Sequence, residues 1–156
     1  MMSKTEVLHG DCLELLRDIP SETVDLVYLD PPFFTGKIQK LRSREDRKEF
    51  SFKDIWNGYE EYAEFIYNRV VEAKRILKDS GSVFFHCDKN ATHIIRAILN
   101  DIFGESNFRS EIIWSYRRWS NKKKGLLPAH QTIYFYSKTK NYKFNFIYNG
   151  YSETTN

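Results

Sequence analysis

Short apolar runs alternate with stretches of helical period along most of this chain. That alternation limits the available folds more than any other feature. VDLVYL (24–29) and SVFFHC (82–87) are rich in β-branched and aromatic residues and have few polar positions. Such runs read as strands buried in a parallel sheet. EIIWSY and QTIYFYSKT (131–139) read as later strands, and YKFNFIY as a candidate final one. EVLHGD, ending at Gly10-Asp11, reads as an opening strand, and CLELLRDI as a short helix stopped by Pro20. From Tyr59 to Lys78 the period is helical, with Tyr62, Phe65, Ile66, Val70, Ala73, Ile76 and Leu77 on one stripe. Asn57 is the expected N-cap of that helix, and Gly81 the expected stop. NATHIIRAILNDIFG gives a further helix, with Ile94, Ile95, Ile98 and Leu99 inward and Gly104 closing it. The order implies an α/β fold: a partial doubly wound, mostly parallel sheet, with the last strands forming an antiparallel edge. The stretch from Gly36 to Gly58 shows no clear period and reads as a long functional or unordered loop.

At 156 residues the chain is long enough for one modest domain, and 41% hydrophobic content marks it as folded. Two cysteines, Cys12 and Cys87, supply neither a disulfide framework nor a zinc spacing. Both read as reduced core residues of a cytoplasmic protein. No run approaches the roughly 18 apolar residues of a membrane span. A net charge of +3 does not by itself indicate a nucleic-acid binder, but the charge is unevenly placed. YRRWSNKKKG (116–125) holds five basic residues and no acid. KIQKLRSREDRKE (37–49) is basic but mixed, and reads as solvated surface.

Asp30 ends its strand, where ligands of open α/β sheets bind. Pro31 and Pro32 fix the backbone and remove two donors while keeping their carbonyls. With Phe33 the local kit is a carboxylate, rigid acceptors and an aromatic face, which suits a planar ligand carrying an NH2 group. Tyr28 reads as core. Phe34 reads either as core or as a second aromatic of the pocket. His86 and Cys87 are strand neighbours pointing to opposite faces, so they do not read as a metal pair. Asp88, at the end of the same strand, reads as a helix N-cap or a cofactor-side residue. His130 reads as a structural histidine. No G-x-G-x-x-G turn follows the first strand, which disfavours a nucleotide-dependent oxidoreductase.

DPPF after an apolar strand resembles the catalytic motif of the amino-type DNA methyltransferases, which methylate adenine N6 or cytosine N4 from S-adenosylmethionine. HGDCLELL, LKDSGSVFFHCDKNATHIIRAILNDIFG, NFRSEIIW and KGLLPAHQTIYFYSKT resemble the segments around it in members of the β-type order. The resemblance runs from about Val7 to Asn156 and implies a Rossmann-like methyltransferase sheet. It implies that the target base is flipped out of double-stranded DNA. Asp30 and the Pro31 carbonyl would then hold the exocyclic amine, Pro32 would stiffen the loop, and Phe33 would stack on the base. It places Asp11, Asp30 and Asp88 toward the cofactor. Arg117, Arg118, Trp119, Lys122, Lys123 and Lys124 become candidate DNA contacts. The Asp-Pro-Pro-Phe form is commoner with adenine enzymes of the family, with cytosine N4 as the alternative. Members of the β-type also carry a Phe-x-Gly-x-Gly cofactor loop, and the seven glycines here are all isolated. The expectation is therefore the N-terminal part of a catalytic domain over residues 1–150. Residues 151–156 would begin a recognition region. Such a chain would need a complementary C-terminal chain, or a homodimer, for activity. A non-catalytic nucleic-acid-binding module on the same fold is the rival reading.

Overall fold

The structure is a computed structural model and describes residues 4–43, 48–117, 119 and 124–146. In chain order the elements are α1 (Cys12–Arg17), β1 (Val24–Leu29), β2 (Lys37–Arg42), β3 (Glu49–Asp54), α2 (Tyr59–Ile76), β4 (Leu77–Cys87), α3 (Thr92–Phe103), a 3-10 turn (Glu105–Asn107), β5 (Phe108–Ser115) and β6 (His130–Ser137). The four-stranded sheet has the order β1-β4-β6-β5, and β2 and β3 form a separate antiparallel hairpin. β1 and β4 pair in parallel, whereas β6 is antiparallel to both β4 and β5. Three of the four strands thus run one way. The α/β class and the antiparallel flank are as expected, but β6 lies inside the sheet and β5 forms its edge.

Register sorts the side chains into two faces. Leu29 pairs with Phe85, Phe85 with Tyr134, and Val83 with Tyr136. These residues join Tyr62, Ile66 and Val70 of α2 and Ile95, Leu99 and Phe103 of α3 in one core. Burying each large apolar side chain is worth about 1.5–3 kcal/mol, which is why both helices keep their stripes inward. Tyr28, Phe84 and Phe135 occupy the other face. Phe84 and Phe135 stack with ring centroids 4.5 Å apart. Leu26, Tyr28, Ile112 and Trp114 of β1 and β5 are exposed. Tyr28 is 50% exposed, so it is not the core residue its strand suggested.

Several boundaries differ from the sequence expectation. Residues 4–9 form no strand, and Val7 stands almost wholly in solvent. The supposed loop after Gly36 contains the β2–β3 hairpin. α2 ends at Ile76, and Leu77 to Gly81 already belong to β4. Gly81 is needed there because a Cβ would meet the Lys78 carbonyl and a Leu77 methyl at 2.9 Å. The α2 N-cap is Gly58, and the Asn57 N–H donates to Glu61. Residues 142–146 form no strand, and the rest of the candidate last strand lies outside the described residues, as does the segment 151–156. Cys12 is exposed, whereas Cys87 is buried and its thiol is pushed up to about 12, chiefly by desolvation. Among the described residues no helix is long and apolar enough to cross a membrane.

Candidate active site

Asp30 leaves the carboxyl end of β1, and the Asp30-Pro31-Pro32 segment forms a wall between two cavities. The larger, about 650 Å³, is lined by this segment with Phe33, Thr35 and the hairpin residues Gln39, Leu41, Phe52 and Asp54. The smaller, about 320 Å³, is lined by the same three residues with Cys12, Tyr28, Phe65 and Arg69. Both volumes fall within the range of small-molecule sites. The four motif residues, Asp30, Pro31, Pro32 and Phe33, all line the larger hollow. Phe34 is not among its lining residues. It packs on Tyr59 and Tyr62 with centroids 4.9 and 5.0 Å away, which resolves its role as core.

The loop after the wall is held by groups the sequence reading missed. Asp54 is 1% exposed and accepts four hydrogen bonds. They come from the Phe34 and Thr35 amides at 3.0 and 2.9 Å, the Thr35 hydroxyl at 2.6 Å and the Trp56 indole at 2.9 Å. Gln39 donates in turn to the Thr35 hydroxyl at 2.8 Å. Phe34 adopts φ +58°, a left-handed conformation costly for any residue with a Cβ. The Asp54 clamp holds it there. Tyr62 donates its hydroxyl to the Pro32 carbonyl at 2.9 Å. The Pro32 carbonyl is therefore occupied, and Pro31 keeps the open acceptor of the pair among the described residues.

Asp30 has a neighbour that sequence distance concealed. His86 Nδ1 lies 3.0 Å from Asp30 Oδ1, and His86 Nε2 lies 3.1 Å from Gln131 Oε1. The edge of Phe33 meets the His86 ring at 5.0 Å. The available signal was positional: Asp30 and His86 are each at the carboxyl end of adjacent strands, on one face.

On the smaller cavity's side, Asp11 caps α1 by accepting from the Leu13 amide at 2.8 Å, and it pairs with Arg69 at 2.8 Å. The Leu13 amide and then the Arg69 guanidinium, against an opposing effect of burial, hold the Asp11 carboxyl below its usual range. Arg69 also lies over the Phe65 ring at 3.5 Å. Its Nε is buried with no hydrogen-bond partner among the described residues. An orphaned donor beside an aromatic-lined cavity fits a ligand that carries both a ring and oxygen acceptors. Burial, with the Asp30 charge behind it, pushes the Tyr28 hydroxyl up.

Asp88 does not cap α3 as expected. Its carboxylate accepts from the Asn90 amide and side chain, and α3 starts after Ala91 without a side-chain cap. Burial pushes the Asp88 carboxyl up. Asp88 and His130 line a small hollow apart from the two cavities at the wall. Of the basic loop, Arg117, Trp119 and Lys124 are exposed, Trp119 completely. Arg117 and Trp119 line a separate hollow with Tyr116 and Leu127. Arg118, Lys122 and Lys123 lie outside the described residues.

Residues 24–155 match the family described as DNA methylase, comprising N6 and N4 methyltransferases. The chain is 34% identical over 148 residues to the type II methyltransferase M.HinfI of Haemophilus influenzae, covering 91% of this chain and 40% of that protein. It is 28% identical over 143 residues to the DNA adenine methyltransferase YhdJ of Escherichia coli K12, covering 89% of this chain and 43% of that one. The M1.HpyAVI structure, solved with S-adenosylmethionine, superposes with a TM-score of 0.56 at 15% identity, covering 93% of this chain and 60% of that chain. The chain thus spans well under two thirds of the relatives it matches. A match over residues 24–155, most of its length, makes this chain a member of the DNA methylase family of amino-methyltransferases.

Proposed function

We propose that this chain supplies the amine-binding wall of an S-adenosylmethionine-dependent DNA methyltransferase, with adenine N6 as its target. The observation that carries this reading is that Asp30, Pro31 and Pro32 face two cavities at once. A transfer between two ligands needs one wall that both can touch. The smaller cavity, with Arg69 and Tyr28, is the cofactor side, and Asp11 supports it by holding Arg69. The larger, with Phe33 and the hairpin, receives the base flipped from duplex DNA.

When bound, the cofactor supplies an electrophilic methyl group on a sulfonium. The chain's own residues prepare the acceptor. Asp30 and the Pro31 carbonyl accept hydrogen bonds from the two amine N–H groups, which directs the nitrogen lone pair away from them. Phe33 stacks on the ring, a contact worth about 1–3 kcal/mol per base in comparable sites. Positioning and exclusion of water provide the catalysis. Arg117, Arg118, Trp119, Lys122, Lys123 and Lys124 contact the DNA, whereas Asp88, which lines a hollow apart from the smaller cavity, is assigned no cofactor contact. The uncovered face of the sheet supports a requirement for further polypeptide, a C-terminal chain or a second copy, before transfer occurs.

Calorimetry with S-adenosylmethionine on the purified chain, repeated with Asp30→Ala and Asp11→Ala, tests the reading. Micromolar binding weakened by Asp11→Ala is expected. A folded chain whose heat of binding is unaltered by both substitutions would remove the cofactor assignment. Methyl transfer to DNA by the pure chain alone would remove the requirement for further polypeptide.

A further inference from the structure

Four side chains form a row across the carboxyl end of the sheet. Asp30 follows β1, His86 is in β4, Gln131 in β6 and Trp114 in β5. Ile133 pairs with His86, so Gln131, two residues away on the same strand, shares the His86 face. Trp114 pairs directly with Gln131, and its ring lies 5.5 Å from the His86 ring. The His86 side chain is 7% exposed and Asp30 59% exposed. A nearly buried imidazole thus stands behind a carboxylate whose outer part faces the cavities. Phe33 and Trp114 pack on the imidazole and keep water from it.

From this row we infer that His86 and Gln131 are positioning residues for Asp30. His86 donates Nδ1–H to Asp30 Oδ1, which leaves Oδ2 to meet the substrate amine. The inference rests on the proposed role of Asp30 in binding that amine. A carboxylate accepts hydrogen bonds and a bare ring nitrogen also accepts, so the 3.0 Å contact requires a proton on Nδ1. Gln131 settles the other nitrogen in either of two ways. Its carbonyl takes Nε2–H from an imidazolium, or its NH2 group donates to the Nε2 of a neutral ring. Both leave Nδ1–H on Asp30. The consequence is a carboxylate with one rotamer and one free oxygen. An exposed aspartate would otherwise rotate freely at the end of its strand. Among the described residues, the carboxylates that interact with the ring are Asp30 and, just beyond the end of β4, Asp88.

The first test uses the intact chain with 15N-labelled histidine at neutral pH and leaves His86 itself unaltered. Two-bond proton–nitrogen spectra are expected to show His86 protonated at Nδ1, and in Asp30→Ala Nδ1 is expected to lose its proton, leaving Nε2–H as the ring's donor. A bare Nδ1 in the unaltered chain, or a ring spectrum unmoved by Asp30→Ala, would overturn the inference. The second test measures methyl transfer in the active enzyme. His86→Leu is expected to lower kcat by about 100-fold, the cost of a catalytic group misplaced by about 1 Å, with KM for the methyl donor little changed. His86→Asn, whose side-chain amide can donate from nearly the Nδ1 position, is expected to recover a substantial part. Equal losses in the two variants would reduce His86 to a packing residue. Absence of transfer in the unaltered enzyme would defeat the methyltransferase role, and the ring spectra would still decide whether His86 holds Asp30.

Discussion

Asp54 and Thr35 are separated by 19 residues and joined twice, since the Thr35 amide and hydroxyl both donate to Asp54 Oδ2. The carboxylate closes β3 and fixes the loop that leaves the wall. Removing it strips the acceptor from two amides, a hydroxyl and an indole at once. At about 1–3 kcal/mol per buried donor left unpaired, and with water recovering some of them, Asp54→Ala is expected to cost about 3 kcal/mol. Urea unfolding of the variant measures this. A loss below about 1 kcal/mol would show that the clamp is dispensable.

Phe34 offers a sharper test of the same loop, because two truncations should rank against ordinary expectation. Both Phe34→Ala and Phe34→Gly forfeit the contacts with Tyr59 and Tyr62. Only glycine escapes the penalty of φ +58°. The glycine variant is therefore expected to be the more stable of the two by about 1 kcal/mol, although it has less side chain to bury. The reverse order would show that the left-handed conformation is not kept in solution.

The two cysteines should differ in reactivity by their surroundings. Cys12 is exposed at the rim of the smaller cavity, whereas Cys87 is buried with its thiol pushed up to about 12. The thiolate is the reactive form, so a maleimide is expected to add once at neutral pH and a second time only in denaturant. Peptide mass spectrometry should locate the first adduct on Cys12. S-adenosylmethionine is expected to slow that adduct, and identical rates with and without it would separate Cys12 from the cofactor side.

Asp11 supplies a pH dependence of definite sign. Its carboxyl is held below the ordinary 3.8 by the Leu13 amide and by Arg69. A depressed folded value stabilises above the unfolded value and loses that contribution as pH falls through the folded one. The stability difference between the unaltered chain and Asp11→Asn should thus be constant from neutral pH down to about 4 and shrink below 3.8. Thermal melts across this range measure it. A difference that grows on acidification would contradict the pairing with Arg69.

The parts of the fold that were legible in the sequence are those where burial imposes a period. α2 and α3 keep apolar stripes because the sheet covers one side of each, and β4 reads as an apolar run. The β2–β3 hairpin left no such trace because most of its residues are exposed on both faces. EVLHGD has strand composition, but a strand needs a neighbour, and none pairs with it among the described residues. Tyr28 was read as core on the premise that both sheet faces are covered, and the helices pack on one. In the site, Asp30 to Phe33 announced themselves by composition. Asp54 looked like any acid in a polar loop, and His86 acquires its meaning from a contact spanning 56 residues.

Around the stacked Phe84–Phe135 pair, on which Tyr142 packs, Leu26, Tyr28, Ile112 and Trp114 leave part of one side of the sheet apolar and exposed among the described residues. Continuous apolar surface of this kind favours contact over solvent. The force keeping free copies apart is their like charge, and a net charge of +3 makes that force small. Dissolved salt shortens its reach to about 8 Å at physiological strength. The ionic strength of the buffer therefore sets how concentrated a solution of the free chain can become before its molecules begin to adhere through their sheets.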